Sequence, residues 1–465
     1  MMESACNHIP DEGENRIMIQ INPREIAAQA IMEIMEEGAY NNMALRRLLR
    51  QNGAMPPKDR AMVTEIVNGT LRNLYYIDHV INQFSKTKTE KMKPWILAVM
   101  RTAVYQMYFM KVPDSAACNE GVKLVEERGL EALKGFVNGV LRTVGREKEN
   151  IALPQKGTPE FLHIQYSHPL WLIKMWIAYF GYEETENLCR ANNCPPNVTI
   201  RVNTLKTKKE SLRKELEKLG TTVTDGRLVS SALHLKKTAD IGRLKSFSEG
   251  LFHVQDESSQ LAIEIMAPKK GEKILDLCAA PGGKSFTIGE KMENEGRLVC
   301  GDIYEHKIEL ITQGAQRLGI TMIEPIQQDA TEYNENYADA FDRVLVDAPC
   351  SGLGLMGKKP DIRLKKNGDE IDQLVPIQRQ ILENGARYVK QGGTLIYSTC
   401  TLCKKENEKN VEWFLSSHPE FITEDITEFL PKTLWQETAE KGYITLLPHK
   451  SNTDGFFIAK MKRKG

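Results

Sequence analysis

The sequence predicts a multidomain protein with an all-α N-terminal domain, a small α+β domain in the middle and a C-terminal α/β domain. Three observations support this: apolar residues at three-to-four spacing from Asn22 to about Gly145, a proline- and glycine-bearing linker, and an alternation of short apolar strands with helices after about Glu257. A chain of 465 residues has room for two or three domains of about 100 to 200 residues each. We therefore divide the chain into residues 1–20, 21–150, 151–255 and 256–465.

The N-terminal part consists of a tail and a helical domain. Residues 1–20 are polar and without a period, so we predict a flexible tail. Residues 22–150 contain 19 Lys and Arg but only 15 Asp and Glu, and this excess of positive charge weakly favours RNA binding. The domain is predicted to be helical throughout because its amphipathic segments are separated by glycine and proline. These segments are "PREIAAQAIMEIM", "DRAMVTEIVNGTLRNLYYIDHVINQF", "KPWILAVMRTAVYQMYFM" and "ACNEGVKLVEERG".

Residues 151–255 are predicted to form the small α+β domain. The linker "NIALPQKGTPEF" separates this domain from the helical one. An amphipathic helix, "PLWLIKMWIAYF", is followed by a strand-like alternation, "NVTIRVNTL", and by a second helix, "KKESLRKELEKLG". Further short strands extend to about Phe252.

The C-terminal domain is predicted to contain a doubly wound parallel sheet with strand order 3-2-1-4-5. In such a sheet the carboxyl ends of all strands lie on one rim, and the first, fourth and fifth strands are side by side. The last segment, "YITLLP" with "DGFFIAKMK", predicts an extended pair at the edge of the sheet. The five parallel strands are "KILDLC", "RLVCGD", "IEPIQQD", "DRVLVD" and "GTLIYST".

Composition excludes several classes of protein. Lys plus Arg and Asp plus Glu both number 62, so the overall charge does not indicate a polyanionic partner. We find no run of about 18 apolar residues and no secretion signal, so we expect a cytoplasmic protein without a membrane partner. The nine cysteines are scattered rather than clustered as in small disulfide-bonded proteins, and we expect them to be reduced.

The stretch "LDLCAAPGGKS", residues 275–285, contains a glycine turn that suits a ligand. A phosphate-binding loop of the nucleoside-triphosphatase type requires a glycine where this chain has Cys278, so the Gly-Lys-Ser end matches only half of that pattern. A strand that ends in Pro-Gly-Gly before a helix still lets the backbone approach a ligand closely. We therefore favour a nucleoside without a phosphate chain.

Aspartates follow the next three strands. Asp302 ends "RLVCGD", 26 residues after Asp276, which is near the roughly 20 residues expected before a carboxylate that binds ribose hydroxyls. Asp329 follows the third strand and can meet an adenine amino group or cap a helix. Asp347 ends the fourth strand, where it can close the turn. Acids at neighbouring strand ends favour a ligand.

Two cysteines follow the neighbouring fourth and fifth strands. Cys350 in "VLVDAPCSGLG" and Cys400 in "LIYSTCTL" are therefore expected in one crevice. Either one alone is more typical of an inert buried cysteine, but two at adjacent strand ends favour a chemical role. Cys400 and Cys403 also form a CxxC pair; redox chemistry would need a thioredoxin-like unit and zinc would need two more ligands, so we predict no metal.

These motifs, in this order and on these strands, resemble motifs I, IV and VI of the RNA cytosine-5 methyltransferases that use S-adenosyl-L-methionine, and "FHVQDESSQL" matches as well. The helical part is similar to the NusB antitermination factor, on "CNEGVKLVEERG" followed by "GFVNGVLR". The combination resembles the bacterial Sun/Fmu family, which modifies 16S ribosomal RNA. The resemblance implies RNA binding by a NusB-like domain and by a ferredoxin- or RRM-like middle domain, and a Rossmann-like methyltransferase domain.

The resemblance also implies a cofactor, S-adenosyl-L-methionine, and a partner, 16S ribosomal RNA, either free or in an early small-subunit particle. Cys400 is expected to add to carbon 6 of cytosine, which makes carbon 5 nucleophilic, and Cys350 is expected to assist release. A nearby cation favours the thiolate near neutral pH, and Lys284 is the leading candidate. The residues implied to bind the cofactor are Cys278, Ala279, Ala280, Pro281, Gly282, Gly283, Lys284, Asp302, Asp329 and Asp347.

A run of cations, "GKKPDIRLKK", follows the Cys350 motif, and we expect it to contact RNA phosphates. It contains Lys358, Lys359, Arg363, Lys365 and Lys366.

Three alternative functions stay open. One is a DNA-type cytosine-5 methyltransferase, whose nucleophile lies in a Pro-Cys pair like Pro349-Cys350. Another is methylation of a transfer RNA or of 23S ribosomal RNA. The third is a non-catalytic RNA-binding scaffold with the same fold.

Overall fold

The computed structural model describes residues 22–236 and 240–465, and the predicted tail lies outside this part of the chain. The described residues form two compact units, one of residues 22–71 and 77–151, the other of residues 72–76 and 152–465. None of the described helices is long and apolar enough to cross a lipid bilayer.

The first unit is helical, as predicted. Its helices are α1 (Pro23–Glu36), α2 (Asn41–Gln51), α3 (Pro57–Arg72), α4 (Leu74–Phe84), α5 (Pro94–Phe109), α6 (Asp114–Glu127) and α7 (Lys134–Arg146). Helix α5 is buried from Trp95 to Met107, and α1, α6 and α7 pack against it. A helix buried on all sides has no polar face, which explains why α5 is apolar along most of its length.

The second unit begins with three helices and a small antiparallel sheet. The elements are α8 (Pro159–Tyr166), α9 (Leu170–Phe180), α10 (Tyr182–Asn193), β1 (Val198–Val202), α11 (Lys209–Lys218), β2 (Thr222–Asp225), β3 (Ala232–Lys236), α12 (Lys245–Ser248) and β4 (Phe252–Val254). The strand order is β2-β3-β1-β4. Leu212 and Leu216 of α11 pack with Ile200 and Phe252 of the sheet, which confirms the α+β prediction.

A larger sheet forms the rest of the second unit. Its strands are β5 (Lys273–Asp276), β6 (Arg297–Asp302), β7 (Ile323–Gln327), β8 (Phe341–Asp347), β9 (Val389–Thr399), β10 (Phe421–Thr423), β11 (Tyr443–Leu446) and β12 (Phe456–Arg463). The parallel strands run in the order β7-β6-β5-β8-β9. This is the predicted 3-2-1-4-5 order.

The C-terminal strands differ from the prediction in one respect. β11 pairs with β12 in antiparallel fashion, as expected, but β12 is not at the edge of the sheet. One side of β12 pairs with β9 over residues 457–462, and its other side pairs with both β10 and β11. The sheet is therefore mixed, because an apolar strand buried on both sides is more stable inside a sheet than at its rim.

Helices cover both faces of this sheet. They are α13 (Glu257–Met266), α14 (Gly283–Lys291), α15 (Glu305–Leu318), α17 (Gly368–Tyr388), α18 (Glu408–Ser417) and α19 (Glu437–Glu440). Two further short helices, α16 (Ile362–Lys365) and α20 (Pro448–Ser451), pack with α8 to α10 instead. Successive strand residues point to opposite faces, so Ile274 packs with α13 to α15 and Leu275 packs with α17 and α18. The doubly wound prediction is confirmed.

The loop after β8 touches the start of β12 at two glycines. The amide of Gly455 donates to the carbonyl of Gly354 over 2.9 Å. A Cβ atom on Gly354 would lie 1.9 Å from the carbonyl oxygen of Gly455. A side chain at this position would therefore separate the loop from the sheet.

We predict that Gly354→Ala destabilises the protein by about 1–3 kcal/mol, the usual cost of forcing a methyl group into packed structure. Urea unfolding followed by circular dichroism measures the difference. The matched control is Gly368→Ala at the start of α17, where a Cβ atom would meet nothing within 4 Å. Equal midpoints for the two variants would contradict the prediction.

Candidate active site

The predicted site residues meet at the carboxyl rim of the parallel strands. β5, β6 and β8 end in Asp276, Asp302 and Asp347. Asp329 lies two residues beyond β7, and Cys400 directly follows β9. The strand pairings place these ends side by side, so residues separated by up to 124 positions share one rim.

The glycine turn, residues 278–283, is fixed to the neighbouring strand. The amide of Ala279 donates to the carbonyl of Gly301 over 2.8 Å, and the amide of Gly282 donates to Ala279 over 2.7 Å. Gly282 has φ +107°, and a Cβ atom there would lie 2.3 Å from Phe286 Cζ. Only glycine fits this position without strain. Pro281 follows a cis peptide bond.

Two groups beside the turn carry strongly raised pKa values. Burial raises the pKa of Asp276 to about 7, and the nearby Asp347 charge adds to the effect, although the Ser285 hydroxyl donates to Asp276 Oδ2 over 2.6 Å. Burial also raises the pKa of the Cys278 thiol well above its usual range. Cys278 therefore stays neutral. Sequence reasoning used Asp276 only to measure spacing, because nothing in an apolar strand shows how deeply its last residue is buried.

Asp302 and Asp329 each bind their own loop through one oxygen. Asp302 Oδ1 accepts from the amide of Tyr304 at 3.2 Å and lies 3.3 Å from Lys307 Nζ. Asp329 Oδ1 accepts from the amide and the hydroxyl of Thr331 at 2.8 and 2.7 Å. The helix-capping alternative for Asp329 is wrong, because no helix begins there; its Oδ1 instead closes a turn over residues 329–332.

Lys284 lies between the turn and the fourth strand. Its ammonium donates to Asp347 Oδ2 over 2.7 Å, while the Ser398 hydroxyl donates to Asp347 Oδ1 over 2.7 Å. Burial is the largest single influence and lowers the pKa of Lys284, but the charges of Asp347, Cys400 and Asp276 together outweigh it and raise that pKa. Lys284 is therefore held as a cation at this rim.

The two cysteines are in direct contact. Cys350 Sγ and Cys400 Sγ are 3.3 Å apart, and both are free thiols that are partly exposed. The hydrogen bond with Cys400 is the main cause of a strongly raised Cys350 pKa, and burial and the charge of Glu406 act in the same direction. The raised pKa favours the thiol form of Cys350, and at this distance either thiol can be the hydrogen-bond donor.

The two cysteines lie on loops that are joined to each other: the β8 loop, residues 348–354, and the β9 loop, residues 400–407. The amide of Ala348 donates to Ser398 over 2.9 Å, and the amide of Gly354 donates to Cys400 over 3.0 Å. Buried polar side chains, above all Glu406, also connect the loops. Sequence reasoning missed Glu406, because the surrounding "KKENEK" is typical of an exposed charged surface.

The two cysteines of the CxxC pair, Cys400 and Cys403, have different surroundings. Cys403 is fully buried among residues of α8 to α10, including Trp176 and Leu188, while Cys400 faces Cys350. Among residues 22–236 and 240–465, no group of three or more His, Cys, Asp or Glu side chains is arranged to hold a metal ion.

The structure contradicts the expected RNA contact of Arg363. Its guanidinium is buried and donates to the carbonyls of Ser167 and Asn192 at 3.1 and 2.9 Å. Lys358 is held by Asp256 and Asp454 at 2.5 and 2.8 Å. A run of cations does not reveal which side chains fold inward, so this part of the predicted phosphate-binding surface is instead part of the structural framework.

Family models match all three parts of the chain. The model for 16S rRNA methyltransferase RsmB/F matches residues 263–462. The model for the NusB family matches residues 21–146, and the model for the RsmF/B-like ferredoxin-like domain matches residues 168–242. These matches agree with the α/β, all-α and α+β parts of the structure.

Relatives align along the whole chain. The probable ribosomal RNA small subunit methyltransferase B of Bacillus subtilis (strain 168) is 38% identical over 460 residues, which cover 96% of this chain and 100% of that protein. The protein of the same name from Synechocystis sp. is 36% identical and covers 95% and 100%. The crystal structure of PH0851 is 30% identical, covers 96% of this chain and 100% of that chain, and has a TM-score of 0.79. This chain belongs to the RsmB/F family of 16S rRNA methyltransferases.

Proposed function

We propose that this chain transfers a methyl group from S-adenosyl-L-methionine to carbon 5 of a cytosine in 16S ribosomal RNA, through a covalent bond between Cys400 and carbon 6. The observation that carries the proposal is the pair of sulfurs, Cys350 Sγ and Cys400 Sγ, 3.3 Å apart at the rim beside the glycine turn. One sulfur can attack the base while the other assists. The names of the relatives and the NusB-like domain support ribosomal RNA as the substrate.

The residues around the turn fit S-adenosyl-L-methionine. Asp302 and Asp329 offer carboxylate oxygens suited to ribose hydroxyls and to an adenine amino group. Asp276 Oδ1 and Gln328 Nε2 are buried and have no hydrogen-bond partner within the described part of the chain, which is a feature of sites that take a polar ligand. When bound there, the cofactor supplies a methyl group on a positively charged sulfur.

The first stage of the proposed reaction belongs to Cys400. Carbon 5 of cytosine is a poor nucleophile until a thiolate adds to carbon 6 and gives carbon 5 enamine character. The Lys284 ammonium, which donates to Asp347, can stabilise negative charge on a sulfur that attacks the base. Carbon 5 can then accept the methyl group.

The second stage, release of the RNA, involves Cys350. After methylation, a base from the solvent takes the proton of carbon 5, the electron pair left behind re-forms the double bond between carbons 5 and 6, and Cys400 Sγ departs as a thiolate. The Cys350 thiol lies within hydrogen-bond distance of that sulfur. A hydrogen bond to the departing sulfur stabilises the charge that develops there, which favours elimination.

The alternatives assign different roles to the same atoms. In a DNA-type enzyme Cys350 would be the nucleophile, but its raised pKa favours the thiol form, which attacks poorly. A scaffold would bind RNA without turnover. Methylation of transfer RNA or of 23S ribosomal RNA would use the same chemistry on another substrate.

We predict that Cys400→Ala abolishes both methyl transfer and the covalent RNA adduct, whereas Cys350→Ala accumulates the adduct because release fails. Radiolabelled S-adenosyl-L-methionine and 16S ribosomal RNA from cells lacking the protein measure transfer, and denaturing gels measure the adduct. The exposed Cys194→Ala variant is the control.

The outcomes of this experiment separate the alternatives. An adduct that disappears with Cys350→Ala and persists with Cys400→Ala would support the DNA-type assignment. Wild-type protein that binds the RNA without transfer would support the scaffold. Label that enters only transfer RNA or 23S ribosomal RNA would show that one of these RNAs, and not 16S ribosomal RNA, is the substrate.

We predict that Lys284→Met slows alkylation of Cys400 by iodoacetamide at neutral pH by about tenfold, because a cation near a sulfur stabilises the negative charge that the sulfur carries when it attacks. Peptide mass spectrometry follows Cys400 specifically. Lys284→Arg should restore the rate, and Lys291→Met on the same helix should leave it unchanged. An unchanged rate for Lys284→Met would exclude the proposed role.

We predict that Asp302→Ala weakens binding of S-adenosyl-L-methionine by about 10- to 100-fold, since hydrogen bonds to a charged group contribute about 1.5–3 kcal/mol. Isothermal titration calorimetry measures the affinity. The matched control is Glu305→Ala, an exposed carboxylate three residues later at the start of α15. Equal affinities for Asp302→Ala and wild type would remove Asp302 from the cofactor site.

A further inference from the structure

Glu406 is a fully buried carboxylate at the end of the β9 loop. Its Oε1 accepts from the Ser351 amide at 2.8 Å and from Gln378 Nε2 at 2.9 Å. Its Oε2 accepts from the Ser351 hydroxyl. The Thr401 hydroxyl has one proton and lies 3.2 Å from Oε2 and 2.7 Å from Ser351 Oγ, so it can donate to either oxygen. A buried carboxylate is costly unless it is hydrogen-bonded, and these donors satisfy both oxygens.

The donors to Glu406 come from both cysteine loops. Ser351 directly follows Cys350, and Thr401 directly follows Cys400. The two hydroxyls also contact each other at 2.7 Å. One carboxylate is therefore bound to the chain neighbour of each sulfur, so a displacement of Glu406 would move Cys350 and Cys400 relative to each other.

Residues of β9, α17 and α18 fix the position of Glu406. The Tyr397 hydroxyl of β9 donates to the Glu406 carbonyl over 2.6 Å. Gln378 of α17 also donates to the Pro349 carbonyl at 3.0 Å and accepts from Asn410 at 2.8 Å. These contacts connect Glu406 to one strand and two helices, so its position is fixed by regular secondary structure.

We propose that Glu406 is the positioning residue of the two-cysteine site: its carboxylate joins the β8 loop to the β9 loop and fixes the 3.3 Å separation of the two sulfurs. This inference rests on the proposed function, in which both sulfurs act on one cytosine. Glu406 does not touch the reacting atoms. Its negative charge also contributes to keeping Cys350 in the thiol form.

The direct test measures the proximity of the sulfurs without RNA or cofactor. Diamide oxidises two adjacent thiols to a disulfide by accepting two hydrogens, and peptide mass spectrometry follows the bond between Cys350 and Cys400 in the full chain. Glu406→Ala should slow this reaction by about 10- to 100-fold, the scale expected when reacting groups are displaced by ~1 Å. Glu406→Gln keeps an acceptor and a hydrogen-bonding amide, so it should remain close to the wild-type rate.

Matched controls separate positioning from general stability. Glu408→Gln changes a carboxylate two residues away that accepts from Thr445 and not from either cysteine loop, so its rate should equal that of the wild type. If Glu406→Ala fails to fold, Thr401→Val and Ser351→Ala remove the hydroxyl donors instead. Folded Glu406→Ala that forms the disulfide at the wild-type rate would overturn the proposal. If Glu406→Ala does not fold, wild-type rates of disulfide formation in both Thr401→Val and Ser351→Ala would overturn the proposal.

Methylation kinetics provide a second readout. Glu406→Ala should lower kcat and leave the KM for S-adenosyl-L-methionine unchanged, because the cofactor residues lie on other loops, apart from Asp347, which is fixed in β8. Glu406→Gln should restore most of kcat. A wild-type protein without methyl transfer whose disulfide formation still depends on Glu406 would refute the proposed function and leave the positioning role intact. A rise in KM with unchanged kcat would contradict the positioning role.

Discussion

The parallel pairing of β8 with β9 is the constraint on which the site depends. Asp347 lies opposite Ser398 in this ladder, so the chain leaves both strands at the same level and the two cysteines follow within three residues. A slip of one residue would turn the side chains of one strand to the opposite face and would move the β9 loop away from the β8 loop. Apolar residues on both faces of these strands oppose such a slip, because those on one face are buried in one hydrophobic cluster and those on the other face in a second cluster.

The same rim gathers more carboxylates than cations. Asp276, Asp302, Asp329 and Asp347 lie at consecutive strand ends, and Lys284 is the cation among the residues predicted for the site. Its ion pair with Asp347 offsets the cost of burying either charge alone. The proposed cofactor carries a positive sulfonium, which a carboxylate-rich rim attracts. The raised pKa of Asp276 limits this attraction near neutral pH, because a group with a pKa of about 7 is charged only in part.

Sequence reasoning predicted the residues at the strand ends of the site but not the buried charged residues that hold the surrounding loops in place. The glycine turn, the three strand-end acids and the two cysteines were found because each follows a short apolar strand, and parallel strands end at a common rim. Glu406 and Arg363 could not be assigned in this way. Both lie in runs of charged residues, and burial of a charge depends on hydrogen-bond partners that are distant in the chain, such as Ser351 for Glu406 and Asn192 for Arg363. The interior position of β12 was missed for a related reason, since its partner β9 ends 57 residues earlier.

The two cysteines have the same side chain, so any difference in their roles must come from their surroundings. The hydrogen bond with Cys400 and the charge of Glu406, whose carboxylate binds the adjacent Ser351, both raise the pKa of Cys350 and favour its thiol form. The charge of Cys400, by contrast, is one of those that raise the pKa of Lys284. The proposed roles use this difference, because a sulfur near a cation suits attack on the base and a thiol that retains its proton suits donation of a hydrogen bond when that attack is reversed. The proposal therefore assigns attack to Cys400 and release to Cys350.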